Sequence, residues 1–326
     1  MLRIIIGIIV SAIAIGAYAD TFAINKADQE KISNEAEDWM DDMPDGLQDR
    51  LSDAVSHAMH GFFSEIQYFR NYSDTTQIGK YKVNVKDIYG GESGNIQMRL
   101  YFSNLDPKAP LLIYFHGGGW SLGSINTTDN FCRALVSEGN IKVISVEYPL
   151  SPENSYPSAL ISGCEAVEYI LNQSKIWSFN LQEVSMGGDG AGGDLVLSIY
   201  PKLRRPNLIK KLVLYYPLLA GNLNPELKKK YGRGYGFDSR VWEAFQMSYK
   251  GDKREYPKQI PPTLLIGAGR DIIIDKIESF KLGYDGVTYV EFEGALHGFI
   301  SDGHQKTAFE KAVEITYKFL TNKGSK

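Results

Sequence analysis

The fold is decided by one glycine-rich stretch, Gly187-Gly188-Asp189-Gly190-Ala191-Gly192-Gly193-Asp194. It lies between a β-branched run that ends at Val184 and an apolar run with helical periodicity over 195–203. This arrangement predicts a sharp corner from a strand to a helix. Glycine is favoured at such a corner because it adopts positive φ angles and lets the strand and the helix approach closely.

Strand and helix signals alternate on both sides of the corner and predict an α/β fold with a mostly parallel sheet of about eight strands. Continuous apolar runs are typical of strands that helices cover on both faces, and they occur at 111–115, 143–146, 212–216 and 264–266. Two earlier runs alternate apolar and polar residues, which predicts an antiparallel pair at 81–88 and 96–102. Helical periodicity recurs at 130–137, 159–171, 276–282 and 307–320.

The first 19 residues have the pattern of a signal peptide. Arg3 gives a positive start, 4–17 is apolar, and Ala17-Tyr18-Ala19 is a small-x-small site that predicts cleavage before Asp20. We therefore expect an exported protein, periplasmic or secreted. The alternative is an uncleaved membrane anchor, although the apolar run is short for a bilayer span.

Two further regions are predicted to cover the α/β domain. Residues 20–75 show helical periodicity with an aromatic and apolar stripe and no strand signal, which indicates an N-terminal helical cap or arm. The α/β domain then spans 76–326, with an insertion at about 217–261 that breaks the strand–helix alternation. Long insertions in compact folds are usually functional, so we interpret this one as the second part of the cap.

Charge and composition argue against nucleic-acid and metal partners. The net charge is −4, and no basic stripe occurs beyond Lys228-Lys229-Lys230, so we expect no nucleic-acid partner. No histidine cluster has metal-ligand spacing, and we predict no metal and no cofactor. Cys132 and Cys164 could pair in an oxidising compartment, but each lies in a predicted helix among apolar neighbours, which favours free thiols.

A second glycine run, His116-Gly117-Gly118-Gly119-Trp120, directly follows the apolar strand at 111–115. Consecutive glycines after a strand free backbone N–H groups to point at a common centre, as the stabilisation of an oxyanion requires. A tight turn without a catalytic role is the alternative. Further along lie Glu147-Tyr148-Pro149-Leu150-Ser151-Pro152-Glu153, Gly269-Arg270-Asp271-Ile272-Ile273-Ile274-Asp275 and Leu296-His297-Gly298-Phe299.

In this order, these motifs resemble those of the hormone-sensitive-lipase-like esterases of the α/β-hydrolase fold. The resemblance covers roughly residue 81 to the C-terminus. It implies that His297 is the general base and later the general acid, and that Asp271 orients it. It also implies an oxyanion hole made by the N–H groups of Gly118, Gly119 and Ala191. From the residues alone, Asp271 and Asp275 could instead cap a helix, and His297 could be a core histidine.

Within this resemblance, the nucleophile elbow G-x-S-x-G falls on Gly188-Asp189-Gly190-Ala191-Gly192, with glycine in place of serine. Asp189 is no replacement, because the family has aspartate at that position. Ser185 is assigned to the strand. The chain is therefore expected to be inactive or severely impaired as an esterase. The alternatives are a pseudoenzyme that binds a small hydrophobic or acylated ligand, a deliberately inactivated variant, and a hydrolase that uses an activated water or another nucleophile.

Overall fold

The computed structural model describes residues 22–74, 81–92, 94–251, 254–301 and 303–322. Within these ranges eight strands form one sheet in the order β1-β2-β4-β3-β5-β6-β7-β8. Strands β1 and β2 pair antiparallel, as do β2 and β4, and the other pairs are parallel. The predicted α/β fold with a mostly parallel sheet is confirmed. The strands are Asn84–Gly90, Ile96–Phe102, Leu111–Phe115, Lys142–Val146, Val184–Asp189, Ile209–Tyr215, Thr263–Ala268 and Val287–Phe292, which are β1 to β8.

Ten α-helices are found in the described ranges, and we number them α1 to α10. They span Lys26–Asp42, Leu47–Met59, Ser64–Asp74, Asp129–Ser137, Ser158–Asn172, Ala191–Ile199, Pro225–Tyr231, Ser239–Tyr249, Ile274–Gly283 and Lys306–Thr321. Apolar residues at three- and four-residue steps give each of the longer helices one buried face.

The core has two parts, one on each face of the sheet. Successive residues of β3 alternate between them, with Ile113 in one buried cluster and Leu112 and Tyr114 in the other. Helices α5 and α6 contribute to the first cluster, and α4 and α10 contribute to the second. Cys132 on α4 and Cys164 on α5 are therefore on opposite faces of the sheet, and both are free thiols.

Three parts of the sheet differ from the sequence prediction. Strand β8 was not predicted, because only Val290 and Phe292 of its six residues are buried and its apolar signal is weak. Strand β1 begins at Asn84 rather than at residue 81. Strand β5 begins at Val184 and continues through the glycines to Asp189, whereas the sequence suggested a strand that ends at Val184. These glycines are inside the sheet, where they give no local strand signal.

Helices α1, α2 and α8 reach the carboxyl ends of the parallel strands beside Gly190, and α1 also packs on α10. Helix α2 packs on α8 with a buried apolar seam that includes Val55 and Val241. At its rim, Ser52 donates a hydrogen bond to the carbonyl of Arg240, and the Arg240 guanidinium pairs with Asp49. The N-terminal helices and the insertion thus contact each other over the sheet, although the domain boundaries given above stay a prediction.

The signal-peptide prediction falls on residues 1–19, which lie outside the described residues. None of the helices in the described ranges is long and apolar enough to cross a membrane.

Candidate active site

The corner after β5 is built as the sequence predicts. Gly190 has φ +51° and ψ −115°, and α6 begins directly after it. Its N–H donates to the carbonyl of Tyr215, and its carbonyl accepts from the N–H of Leu218. A Cβ on Gly192 would lie 2.0 Å from the carbonyl oxygen of Phe115, so a side chain is excluded there. These contacts hold Gly190 at the carboxyl edge of the sheet, between a strand and a helix that almost touch.

His297 and Asp271 meet beside this corner. The Nδ1 of His297 donates to Oδ2 of Asp271 at 2.6 Å, with the tautomer assigned from this contact. The other carboxylate oxygen of Asp271 accepts from the N–H of Ile273 at 3.1 Å, and the side chain is buried. The carboxylate is therefore fixed from both sides and holds the imidazole with Nε2 free to face outward.

The Nε2 of His297 faces Gly190. A Cβ on Gly190 would lie 3.3 Å from Nε2, and the next nearest atoms, of Leu218 and Gly117, would lie 3.9 and 4.0 Å away. The structure therefore brings together the three residues that the sequence placed at the catalytic positions. Their roles remain predictions.

Asp275 does not cap the helix that follows this segment. The residue at the N-cap of α9 is Ile273, and Asp275 lies inside the first turn. The expectation that Asp275 caps this helix is wrong, because the helix begins at Ile274, two residues before the predicted start at 276.

The oxyanion loop, which we define as His116 to Trp120, follows β3 and lies beside the corner. Gly118 and Gly119 have φ angles of +104° and +59°, which favour glycine. Within the described part of the chain, the N–H groups of these two glycines donate no hydrogen bond. Ala191 is the first residue of α6, and N–H groups in the first turn of a helix have no acceptor within the helix. All three N–H groups are therefore available to an oxygen atom.

Asp189 ties the oxyanion loop to the corner. Its Oδ1 accepts from the N–H of Gly117 at 3.0 Å and from the hydroxyl of Tyr114 at 2.9 Å. Burial raises the pKa of this carboxyl. His116 stacks on Tyr148 at 4.2 Å, and the Tyr148 hydroxyl donates to the carbonyl of His116. Asp189 and His116 therefore hold the loop in place, and Asp189 also lines the space over Gly190 and His297.

Arg70 of α3 supports the same loop from the cap side. Its Nε donates to the carbonyl of Ser121, and Nη2 donates to the carbonyl of Ser151, both at 2.9 Å. The guanidinium also forms a bidentate ion pair with the carboxylate of Glu153, with N–O distances of 2.7 and 2.9 Å. The sequence reasoning missed this residue, since nothing local in an amphipathic helix shows which loop its arginine will reach.

Aromatic rings pack around the site, two of them from the insertion at 217–261. Phe237 stacks on the imidazole of His297 with ring centres 4.3 Å apart, and Tyr216 lies 4.7 Å away from the same imidazole. Phe245 of α8 packs on Gly119 so closely that a Cβ there would lie 2.0 Å from the ring. These residues line a partly open cavity of about 220 Å³ over Gly190 and His297, and Trp39, Leu51, Leu218 and Val241 are among its other walls.

No group of three or more histidine, cysteine, aspartate or glutamate side chains in the described ranges could hold a metal ion. Ser185 lies in β5, paired with Leu112 and Lys211 of its neighbours, and does not line the cavity. The arrangement consists of an imidazole, a carboxylate hydrogen-bonded to it and free N–H groups, with a glycine at position 190 between them.

Comparisons with known proteins point to one family. The family model described as the alpha/beta hydrolase fold matches residues 112–301. The chain is 27% identical over 224 residues to Esterase LipI of Mycobacterium tuberculosis, covering 63% of this chain and 67% of LipI. It is 25% identical over 248 residues to an acetyl esterase of Salmonella schwarzengrund, covering 70% and 76%. A hyperthermophilic esterase structure from the archaeon Pyrobaculum calidifontis has a TM-score of 0.73 at 22% identity, covering 87% and 100%.

Proposed function

Because the chain belongs to the alpha/beta hydrolase fold family and has an esterase-like scaffold, we propose that its site is that of a carboxylic-ester hydrolase whose nucleophile position is occupied by Gly190. Hydrolysis by the Ser-His-Asp route is then abolished or severely reduced. One observation carries the proposal: the side of Gly190 that would bear a side chain faces Nε2 of His297 at 3.3 Å. A base directed at a residue with no side chain has no hydroxyl to activate.

The remaining groups have assigned roles in this proposal. His297 would accept the nucleophile's proton and return it to the leaving group, while Asp271 keeps Nδ1 protonated and stabilises the imidazolium. The N–H groups of Gly118, Gly119 and Ala191 would stabilise the oxyanion. In a measured serine protease, removal of the nucleophile lowers turnover about a millionfold, and binding and the oxyanion hole supply what acceleration remains.

The chain as it stands tests the proposal directly. With p-nitrophenyl acetate we expect nitrophenol release at the rate of the buffer, unchanged in His297→Phe, and no mass adduct after treatment with a fluorophosphonate. A rate that depends on His297 without an adduct would indicate a water activated at Nε2. An adduct would locate a different nucleophile, and turnover at an ordinary esterase rate would contradict the proposal.

We also propose that the protein is exported through residues 1–19. The support is the sequence pattern of a positive start, an apolar core and a small-x-small site before Asp20. In an expression host with a secretory pathway, the intact mass should correspond to a chain that begins at Asp20. A full-length chain retained in the membrane fraction would favour the uncleaved anchor.

A further inference from the structure

From the site around Gly190 we infer that the protein binds a short aliphatic carboxylic acid, with one acid oxygen at Nε2 of His297 and the other at the N–H groups of Gly118 and Gly119. This inference rests on the proposed function, since it uses the same His297 and the same oxyanion loop. It concerns which ligand the site binds and adds no reaction.

The donors and acceptors at this site are complementary to a carboxyl group. Because Nδ1 of His297 donates to Asp271, Nε2 of the neutral ring is a hydrogen-bond acceptor. Gly118 and Gly119 present N–H groups that have no acceptor in the described part of the chain. A protonated carboxyl group has a hydroxyl donor beside a carbonyl acceptor, and it can satisfy both sides at once. An ester has the carbonyl acceptor but no donor for Nε2.

Glycine at position 190 gives the acid access to Nε2. In a serine enzyme the hydroxyl at this position would itself donate to the histidine and compete with a ligand. Here the nearest atoms to a Cβ position on Gly190, apart from Nε2, belong to Leu218 and Gly117 at 3.9 and 4.0 Å. A ligand oxygen can therefore approach the imidazole without displacing a side chain of residue 190.

The charges around the cavity favour binding of the acid in its protonated form. No lysine or arginine is among the described residues that line it. The acidic side chains nearest to the site are Asp271, which is paired with His297, and Asp189, which lines the cavity and accepts from Gly117 and Tyr114. A bare carboxylate would be repelled by these two groups, whereas a carboxyl group that shares its proton with Nε2 adds no net charge.

The walls and volume limit the rest of the ligand. Phe237, Phe245, Leu218 and Val241 are apolar, and the cavity of about 220 Å³ is small compared with the roughly 300 to 1,000 Å³ of most ligand pockets. An aliphatic tail of a few carbons satisfies these limits, and a second carboxylate would find no lysine or arginine among the described residues of the lining.

Isothermal titration of the full chain with hexanoate, hexanamide and methyl hexanoate tests the inference. In two buffers of different ionisation heat, hexanoate should bind with uptake of close to one proton, and its affinity should fall by up to about tenfold per pH unit between pH 6 and 8. Hexanamide has its own donor and acceptor and should bind without this pH dependence. Methyl hexanoate should bind at least about tenfold more weakly than hexanamide, because it offers Nε2 no donor.

Variants make the assignment specific. His297→Phe should abolish hexanoate binding, and Gly190→Ser should weaken it at least about tenfold. His60 is exposed, so His60→Gln should leave binding unchanged. Thermal unfolding shows whether each variant is folded. Binding without proton uptake, equal binding by His297→Phe, or no binding at millimolar hexanoate would overturn the inference. If Gly190→Ser hydrolyses esters and the original chain binds no acid, the inference fails alone; if neither occurs, the proposed function fails as well.

Discussion

Gly190→Ser is expected to raise the turnover of p-nitrophenyl acetate by at least about a thousandfold over the unchanged chain. The reason is that the His297–Asp271 pair and the oxyanion loop already lie beside residue 190, where the proposed function places the nucleophile. Loss of the nucleophile alone costs about a millionfold in a serine protease. A smaller gain than that full factor is expected because a Cβ at 3.3 Å from Nε2 requires a small shift of the imidazole.

The same substitution should lower stability. At φ +51° and ψ −115°, a residue with a side chain is strained by about 1 to 3 kcal/mol. Gly190→Ala is the matched control, because it adds the Cβ and the strain without a hydroxyl. It should lose as much stability as Gly190→Ser in urea unfolding and gain no esterase activity.

The orienting carboxylate can be tested in the same background. Adding Asp271→Asn to Gly190→Ser should remove most or all of the gained turnover, because a triad histidine held in the wrong tautomer loses about 10⁴-fold in turnover. If Gly190→Ser folds and remains inert, then Asp271, His297 or the closed cap is not competent, and the roles assigned to them are wrong.

The juxtaposition of Gly190, the oxyanion loop and His297 could be predicted because its sequence signals are local. The glycine corner and the oxyanion loop are glycine runs that directly follow a strand. The His297 segment is a short motif, Leu296-His297-Gly298-Phe299, near the last strand. The supporting contacts could not be predicted in the same way. Arg70 reaches Glu153 across 83 positions of sequence, and Phe237 reaches His297 from a glycine-rich loop. Such contacts depend on how the cap packs, which helical periodicity does not encode.

Arg254→Met is expected to lower the free energy of unfolding by about 3 to 5 kcal/mol near neutral pH. Arg254 is buried and pairs with Asp194 of α6 at 3.2 Å, behind the oxyanion loop, and its guanidinium lies 4.7 Å over the ring of Trp120. Removal of one partner leaves the other charge buried without compensation, which is costly. The double variant Asp194→Asn, Arg254→Met should recover most of the loss, since neither charge remains.

The loss of stability in Arg254→Met should depend on pH, because Asp194 titrates. Burial raises the pKa of Asp194 to about 6, although Arg254 and the Tyr256 hydroxyl act to lower it. Without Arg254 the folded-state pKa rises further above the unfolded value of about 3.9. A raised folded-state pKa contributes stability that is fully present below the unfolded value and is lost as the pH rises through the folded value. Urea unfolding of Arg254→Met should therefore show a larger deficit at pH 8 than at pH 5. Arg240→Met is the control, because it removes an exposed ion pair with Asp49; it should cost at most about 1 kcal/mol at either pH value. If Arg254→Met shows the same deficit at pH 5 and at pH 8, then Asp194 is not the group that the substitution leaves uncompensated.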